Sequence, residues 1–131
     1  MTIRIVRLGT PRKRNEGLRL GTVRRPPRGV PKTAYASGDW FDLWFPVLAP
    51  SPATMKLGLA ASTDADRARF FRKYRAEMKA PGAAQALQLL AALSHQTNLS
   101  VGCYCENEAH CHRSALRELL AEYGASIQAG S

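Results

Sequence analysis

The stretch from Leu99 to Arg113, LSVGCYCENEAHCHR, constrains the fold of this chain more than any other. An apolar run from Leu99 to Cys105 has the composition of a buried strand, an acidic turn follows it, and a helical pattern begins near Cys111 or His112. All three cysteines and two of the three histidines fall in this stretch. Because ligand sites of open α/β proteins lie just beyond the carboxyl end of such a strand, we expect the functional site here.

The rest of the chain predicts a small single-domain α/β fold, with a sheet of few strands and flanking helices. Two short strands come first, followed by a basic loop, three helices, the strand at Leu99 and an amphipathic helix from Arg113 to Tyr123. We expect a third helix over about Ala84 to His95, with Pro81 and Gly82 ending the one before it. One domain should cover residues 1–125, and the tail over 126–131 should fray.

The composition argues against a secreted or membrane protein. No window has the roughly 18 apolar residues that a membrane span needs, so we expect no membrane partner. The first residues, MTIRIVRL, lack the features of a secretory signal. Three cysteines are an odd number, packed too closely for a secreted disulfide framework. We therefore expect a cytoplasmic protein with reduced thiols.

Positive charge is concentrated at one end of the chain. The first 32 residues hold ten Lys or Arg against one acid, Glu16, and so carry the whole net charge of +9. This asymmetry indicates an anionic partner, such as a phosphate-bearing small molecule or a nucleic acid. A solvated face that keeps the protein soluble is an equally good interpretation. Arg24, Arg25 and Arg28 lie in a proline-rich loop that we expect to be extended.

The turn between the strand and the last helix allows three kinds of chemistry. A thiolate nucleophile is one, since a helix N-terminus or a nearby cation activates a thiol, and Cys105 and Cys111 are both candidates. Anion binding is the second, because such a turn presents free amide donors. Zinc is the third, with sulfur and nitrogen ligands from the cysteines and histidines, but adjacent residues do not easily face one ion. We therefore assign no metal ligand.

We assign roles to these residues for an anion pocket at the turn. The histidines suit proton transfer, Glu108 suits their orientation or a general base, and arginine forks suit phosphate. The aromatic segment around Trp44 would wall the pocket, although we favour core packing as the explanation of this segment. The candidate catalytic residues are His110, His112, Glu108 and Cys111. The candidate ligand-binding residues are Arg113, Arg24, Arg25, Arg28, Cys105 and Trp44.

Four segments of the chain occur in an order that is characteristic of one known family. They are VRRPPRGVPK (23–32), DLWFPVLAPS (42–51), FFRKYRAEM (70–78) and YCENEAHCHRSALRELL (104–120). Together they resemble domain-of-unknown-function family 488 (DUF488), which includes the YeaO-like proteins. The resemblance covers about residues 2–123.

The resemblance implies a compact bacterial-type α/β domain, and it supplies a name without a mechanism. The chain departs from the YeaO-like pattern in a basic loop one residue shorter, and Arg24 stands where an acid is usual. It also has Cys105 and Cys111, where YeaO-like members often lack cysteine. These differences favour a shared polar core of the pocket formed by Glu108, His110, His112 and Arg113.

The leading hypothesis is a pocket for a small anionic, nucleotide-like or phosphate-like ligand at the Cys105–Arg113 turn, with catalysis left open. One alternative is a nucleic-acid-binding accessory protein that uses the basic first 32 residues. Another is an interaction module stabilised by zinc. The sequence identifies no cofactor and no oligomeric state.

Overall fold

The computed structural model of the protein describes residues 1–128, and its four strands form one sheet. The strands lie in the spatial order β1-β4-β2-β3, and all three neighbouring pairs are parallel. Their bounds are β1 Ile3–Arg7, β2 Leu18–Gly21, β3 Leu43–Trp44 and β4 Leu99–Cys103. The strand predicted at Leu99 is thus an inner strand, buried at all five of its residues, as parallel strands covered on both faces are.

Four helices cover the sheet, which confirms the α/β class. They are α1 Pro52–Ala60, α2 Asp64–Glu77, α3 Pro81–Leu93 and α4 His112–Glu122. Ser51 and Thr63 accept hydrogen bonds from backbone amides of α1 and α2, as N-terminal capping residues do. Among residues 1–128, no helix combines the length and the apolar character that crossing a bilayer requires.

Three local predictions differ from the structure at element boundaries. The strand expected to reach Cys105 ends at Cys103. The third helix begins at Pro81 rather than Ala84. Proline suits the first helical position because its φ angle is already helical and because the backbone N–H that it lacks would have no partner within the helix there. The two-residue strand β3 was not expected, and it exists because Leu43 and Trp44 pair with β2.

The buried apolar residues form two clusters. The larger cluster packs β1 and β4 against α2, α3 and α4 through residues such as Ile5, Leu87 and Leu116. The smaller one contains Cys103 and Cys111. Its other buried members are Val6, Leu8, Val23 and Phe41. Two of the three thiols are therefore packed in apolar surroundings.

Residues 126–128 pair with β1, whereas we expected a frayed tail from Ser126. The Ile3 amide donates to the Ser126 carbonyl at 2.8 Å, and the Gln128 amide donates to the Ile3 carbonyl at 2.8 Å. The reason is that β1 is an edge strand, whose free backbone groups attract a further extended segment. Residues 129–131 of the expected tail lie outside the described residues.

One cation of the basic end is fully buried. Arg19, with no exposed area, donates to both carboxylate oxygens of Glu16 at 2.7 and 2.9 Å and to the carbonyls of Thr10 and Asp39. Ser100 donates to the same carboxylate at 2.8 Å. Arg19 therefore has a structural role, and an anionic partner cannot contact it.

Candidate functional site

The carboxyl ends of β1, β2 and β4 meet at one edge of the sheet, and a cavity of about 820 Å³ opens there. Parallel strands place the loops that follow them on the same side, which is where open α/β proteins bind ligands. We call this cavity the basic groove, because five cationic residues line it. They are Arg7, Arg24, Arg25, Arg28 and Lys56.

The cations of the basic groove differ in how firmly they are held. Arg24 donates to the carbonyls of Pro50 and Ala49 at 3.0 and 3.1 Å, so it ties the basic loop to the segment before α1. Arg25 and Arg28 are exposed. Arg7 donates to the Tyr104 carbonyl at 3.2 Å. Exposed guanidinium groups here are free to turn toward an anion in the groove.

The aromatic side of the groove is formed by Trp40 and Tyr104. Their ring centroids lie 5.9 Å apart in an edge-to-face arrangement, and the Tyr104 hydroxyl donates to the Arg25 carbonyl at 2.8 Å. Gly9, with a φ of 87°, lies so close that a Cβ there would be 2.9 Å from the Trp40 ring. Trp44, the residue chosen from the sequence, does not line the groove, because its indole donates to the Val23 carbonyl.

The three cysteines and His112 form a second feature, which we call the thiol cluster. Cys103 Sγ lies 2.7 Å from Cys111 Sγ, and the Cys105 amide donates to Cys103 Sγ at 3.4 Å. Cys111 Sγ lies 3.6 Å from His112 Nδ1. The end of β4 and the residue just before α4 thus bring together sulfurs that are eight positions apart in the chain.

His112 is buried, with 3% of its surface exposed. Its Nε2 lies 2.9 Å from the Thr22 carbonyl and must donate to it, because a carbonyl oxygen only accepts hydrogen bonds. In the neutral ring the other nitrogen, Nδ1, then carries no proton, and it faces Cys111. Burial lowers the pKa of His112 to about 4. The imidazole is therefore neutral at pH 7 and offers a proton acceptor to the Cys111 thiol.

Arg113 is also buried, with 3% exposed, and its Nη2 donates to the Cys105 carbonyl at 2.5 Å. Its Nε has no hydrogen-bond partner, and within residues 1–128 no carboxylate forms an ion pair with it. Hydrogen bonds from Cys103 and Cys111, together with the charge of Arg113, hold the pKa of Cys105 well below that of an ordinary thiol despite partial burial. This lowered pKa favours the thiolate form of Cys105, close to the buried Arg113 cation.

The structure separates Glu108 from the histidines that it was expected to orient. Both Glu108 carboxylate oxygens accept from Arg117, at 2.7 and 2.9 Å. His110 is exposed at the end of a short 3₁₀ turn, and it lines a small cavity of about 80 Å³ beside the thiol cluster. Of the histidines predicted for proton transfer, only His112 contacts a cysteine side chain.

The small cavity adjoins the basic groove. Val23, Met55, Leu59 and Tyr104 line both of them. All three cysteines line the small cavity, and Cys105 is the exposed one. A ligand in the groove therefore lies next to the thiol cluster, while Arg113 acts inside the protein rather than as an open anion contact.

The spacing of the sulfurs does not match a zinc site. Donor atoms of Cys103, Cys111 and His112 all lie within 4.8 Å of one another, which brings them near enough to share an ion. Two thiolates bound tetrahedrally to zinc at 2.3 Å lie about 3.7 Å apart. The Cys103 and Cys111 sulfurs are only 2.7 Å apart, which is closer than this zinc spacing and also closer than two unbonded sulfurs in van der Waals contact.

Sequence reasoning found the turn but missed several groove residues and one thiol. Cys103 could have been predicted as a site residue, because residues two apart on a strand lie on the same side and Cys105 was already a candidate. Arg7 could also have been predicted, since it lies at the end of a predicted strand, at the same edge of the sheet. Nothing in the local pattern distinguished Trp40 from Trp44. Nothing in the sequence pattern indicated that Lys56, on α1, would line the groove.

The fold and site together define a parallel α/β domain with a cysteine–histidine–arginine turn at the carboxyl edge of its sheet. The chain belongs to the DUF488 family, since the model of DUF488-N3a, described as the active DUF488-N3 subclade, matches residues 3–124. The match spans all four strands and all four helices of residues 1–128, and it confirms the resemblance of the four sequence segments to DUF488. No curated protein and no solved structure matches the chain.

Proposed function

We propose that this protein binds a phosphate-bearing, nucleotide-like ligand in the basic groove, with the Cys105–Arg113 turn as the adjoining reactive side. One observation carries the proposal. Cationic side chains and two aromatic rings line the same cavity at the carboxyl edge of a parallel sheet. The cations suit the phosphate, and the rings suit a planar base.

The size of the groove supports a ligand larger than a phosphate ion. Its volume of about 820 Å³ falls in the range of roughly 300–1,000 Å³ that is usual for small-molecule sites. Apolar side chains of Met55 and Leu59 line it alongside the rings. A ligand with an apolar or aromatic part fills such a space, whereas a bare phosphate would leave most of it to water.

The charge of the groove supports an anion. Among the described residues, no Asp or Glu lines it. Glu106 lies 3.7 Å from Arg7 in an ion pair whose side chains are 85% and 45% exposed. Such an exposed pair is weak, so a phosphate competes with it readily.

The neighbouring thiol cluster supports a chemical role in addition to binding. Perturbed nucleophilic groups beside a cavity are typical of active sites, and Cys105 is both exposed and held toward its thiolate form. The family description names an active subclade. We also propose a cytoplasmic setting, because all three cysteines are free thiols.

The test uses Trp40 as a reporter in the variant Trp44→Phe, which leaves one tryptophan in the chain. We expect nucleoside mono- and diphosphates to change its fluorescence with saturation, and adenosine or inorganic phosphate alone to bind at least about tenfold more weakly. Replacement of Arg28 by alanine should weaken nucleotide binding by about tenfold, since it removes a charged contact.

The matched control is Arg72→Ala, which removes the same charge from an exposed position on α2, outside the groove. It should change the affinity less than about twofold, as long-range charges are screened. Equal weakening by the two replacements, or no saturable signal with any nucleotide, would refute the proposed site.

A further inference from the structure

The thiol cluster contains three sulfurs in different environments. Cys105 is exposed, whereas Cys103 and Cys111 are buried with 2% and 1% of their surfaces accessible. The two buried sulfurs are in contact at 2.7 Å. A reagent from solvent therefore meets Cys105 first, and side-chain hydrogen bonds join Cys105 to both buried thiols, which can react afterwards.

We propose that the thiol cluster is a thiol–disulfide exchange site, in which Cys105 attacks a low-molecular-weight disulfide and a Cys103–Cys111 disulfide is the oxidised product. This activity is independent of the ligand proposed for the basic groove. It needs a solvent-accessible thiolate beside a second thiol, and this arrangement is typical of redox-active cysteines.

The reaction balances in three exchanges. The Cys105 thiolate attacks one sulfur of R–S–S–R, forms Cys105–S–S–R and releases R–S⁻, which takes a proton from water. Cys111 then attacks the Cys105 sulfur, and the second R–S⁻ leaves. Finally, Cys103 gives its proton to water and attacks the Cys111 sulfur, and Cys105 leaves as a thiolate. Two electrons pass from Cys103 and Cys111 to the small disulfide, which becomes two R–SH.

His112 is placed to assist the second exchange. Its Nδ1 lies 3.6 Å from Cys111 Sγ, and its Nε2–H is held by the Thr22 carbonyl. The Cys111 proton passes to Nδ1 as Cys111 attacks, and from there to the departing R–S⁻. The fixed ring orientation keeps the accepting nitrogen toward the sulfur throughout.

Arg113 supports the first and last exchanges. It is a buried cation without a carboxylate partner in residues 1–128, and its Nη2 holds the Cys105 carbonyl. A buried charge is strongly disfavoured unless an opposite charge compensates it. Arg113 therefore favours Cys105 as an attacking thiolate and as the leaving group, because a stabilised thiolate leaves faster.

The experiment treats the reduced full-length chain with oxidised glutathione, blocks the remaining thiols and maps the products by mass spectrometry. Cleavage after Tyr104 and after Glu106 or Glu108 puts each cysteine on its own peptide. We expect a Cys103–Cys111 disulfide with Cys105 free. This mapping uses the unaltered protein, so the result does not depend on any variant folding.

Single replacements test the individual exchanges. Cys105→Ser should slow oxidation by at least about tenfold, and Cys111→Ser should accumulate glutathione on Cys105. In His112→Gln the side-chain amide keeps a donor for the Thr22 carbonyl but offers no Nδ1, so the mixed disulfide should form normally and resolve slowly. Arg72→Ala should oxidise at the unaltered rate.

Two results would overturn the proposal. One is a set of three thiols that react independently, with glutathione on each and no internal disulfide. The other is stoichiometric zinc in the freshly purified protein, bound so that the thiols resist oxidised glutathione until a chelator removes the metal. Because no nucleotide is used, either result leaves the test of the basic groove untouched.

Discussion

At the scale of single residues, the buried pair of Glu16 and Arg19 is the most consequential charge interaction outside the site. Arg19 donates through Nε and Nη2 to the carboxylate of Glu16, and both side chains are at most 2% exposed. Ser100 of β4 completes the hydrogen bonding of the carboxylate. Each side-chain nitrogen of Arg19 and each carboxylate oxygen of Glu16 thereby has at least one hydrogen-bond partner, which is the condition for tolerating buried charge.

Replacement of Glu16 by glutamine should lower the free energy of unfolding by about 3 kcal/mol, because it leaves the Arg19 cation buried without a counter-charge. Urea denaturation measures this change in the free energy of unfolding. Asp64→Asn, which breaks an exposed ion pair with Arg67, is the control and should change stability by less than about 1 kcal/mol. A loss no larger than that of the control would contradict the importance of the pair.

The same carboxylate gives the fold a pH dependence. Burial raises the pKa of Glu16, but hydrogen bonds from Arg19, Lys13 and Ser100 outweigh burial and leave it below its ordinary value of 4.5. A folded pKa below the unfolded one stabilises the fold above pH 4.5, and this contribution is lost as the pH falls toward the lowered value. The unfolding free energy of Glu16→Gln should therefore change less with pH in this range than that of the unaltered protein.

At the scale of elements, Glu77 joins the end of α2 to the start of α1. Its carboxylate accepts from the Ser51 amide at 2.9 Å, the Ser51 hydroxyl at 2.5 Å and the Thr54 hydroxyl at 2.7 Å. Ser51 is also the cap of α1. Since α1 carries Met55 and Lys56 into the basic groove, this junction helps to place one wall of the site.

Glu77→Ala should therefore lower the free energy of unfolding by about 3 kcal/mol, because it removes charged hydrogen bonds and leaves polar partners unsatisfied. Chemical denaturation followed by circular dichroism is the measurement. Gln88→Ala, an exposed change on α3, should stay within about 0.5 kcal/mol. If Glu77→Ala matched that control, the junction would have no energetic role.

At the scale of the whole molecule, the basic end of the chain is divided between structure and site. Arg19 is buried in its ion pair, and Arg24 is bonded to backbone carbonyls. Arg7, Arg25 and Arg28 remain exposed around the groove. Four of the ten cations in the first 32 residues thus line one groove beside aromatic rings, and this concentration suits a single small ligand.

The proposed nucleotide ligand and the nucleic-acid alternative predict different dependences of affinity on ligand length. Affinity measured with oligonucleotides of increasing length should level off after one or two nucleotides, because the cations concentrate in one groove. A nucleic-acid-binding protein would gain affinity with each added phosphate and lose it steeply with salt. Fluorescence anisotropy at two salt concentrations separates the two behaviours, and a steady gain with length would favour the alternative.

The class of fold was predictable because it depends on local pattern. Apolar runs, prolines and capping residues such as Ser51 and Thr63 act within a few positions, so the helices appear near their expected places. The short strand β3 and the pairing of residues 126–128 with β1 were not predictable. Both depend on a partner strand far away in the chain.

An α/β domain of the DUF488 family, with its cysteines and a His–Arg pair at one strand–helix turn, follows from local pattern and motif order alone. Three features depend instead on long-range packing: Trp40 rather than Trp44 faces the groove, Glu108 pairs with Arg117, and the Cys103 and Cys111 sulfurs lie side by side. The reason is physical. Neighbours along the chain fix local geometry, whereas the partner of a side chain depends on which distant strand or helix packs beside it.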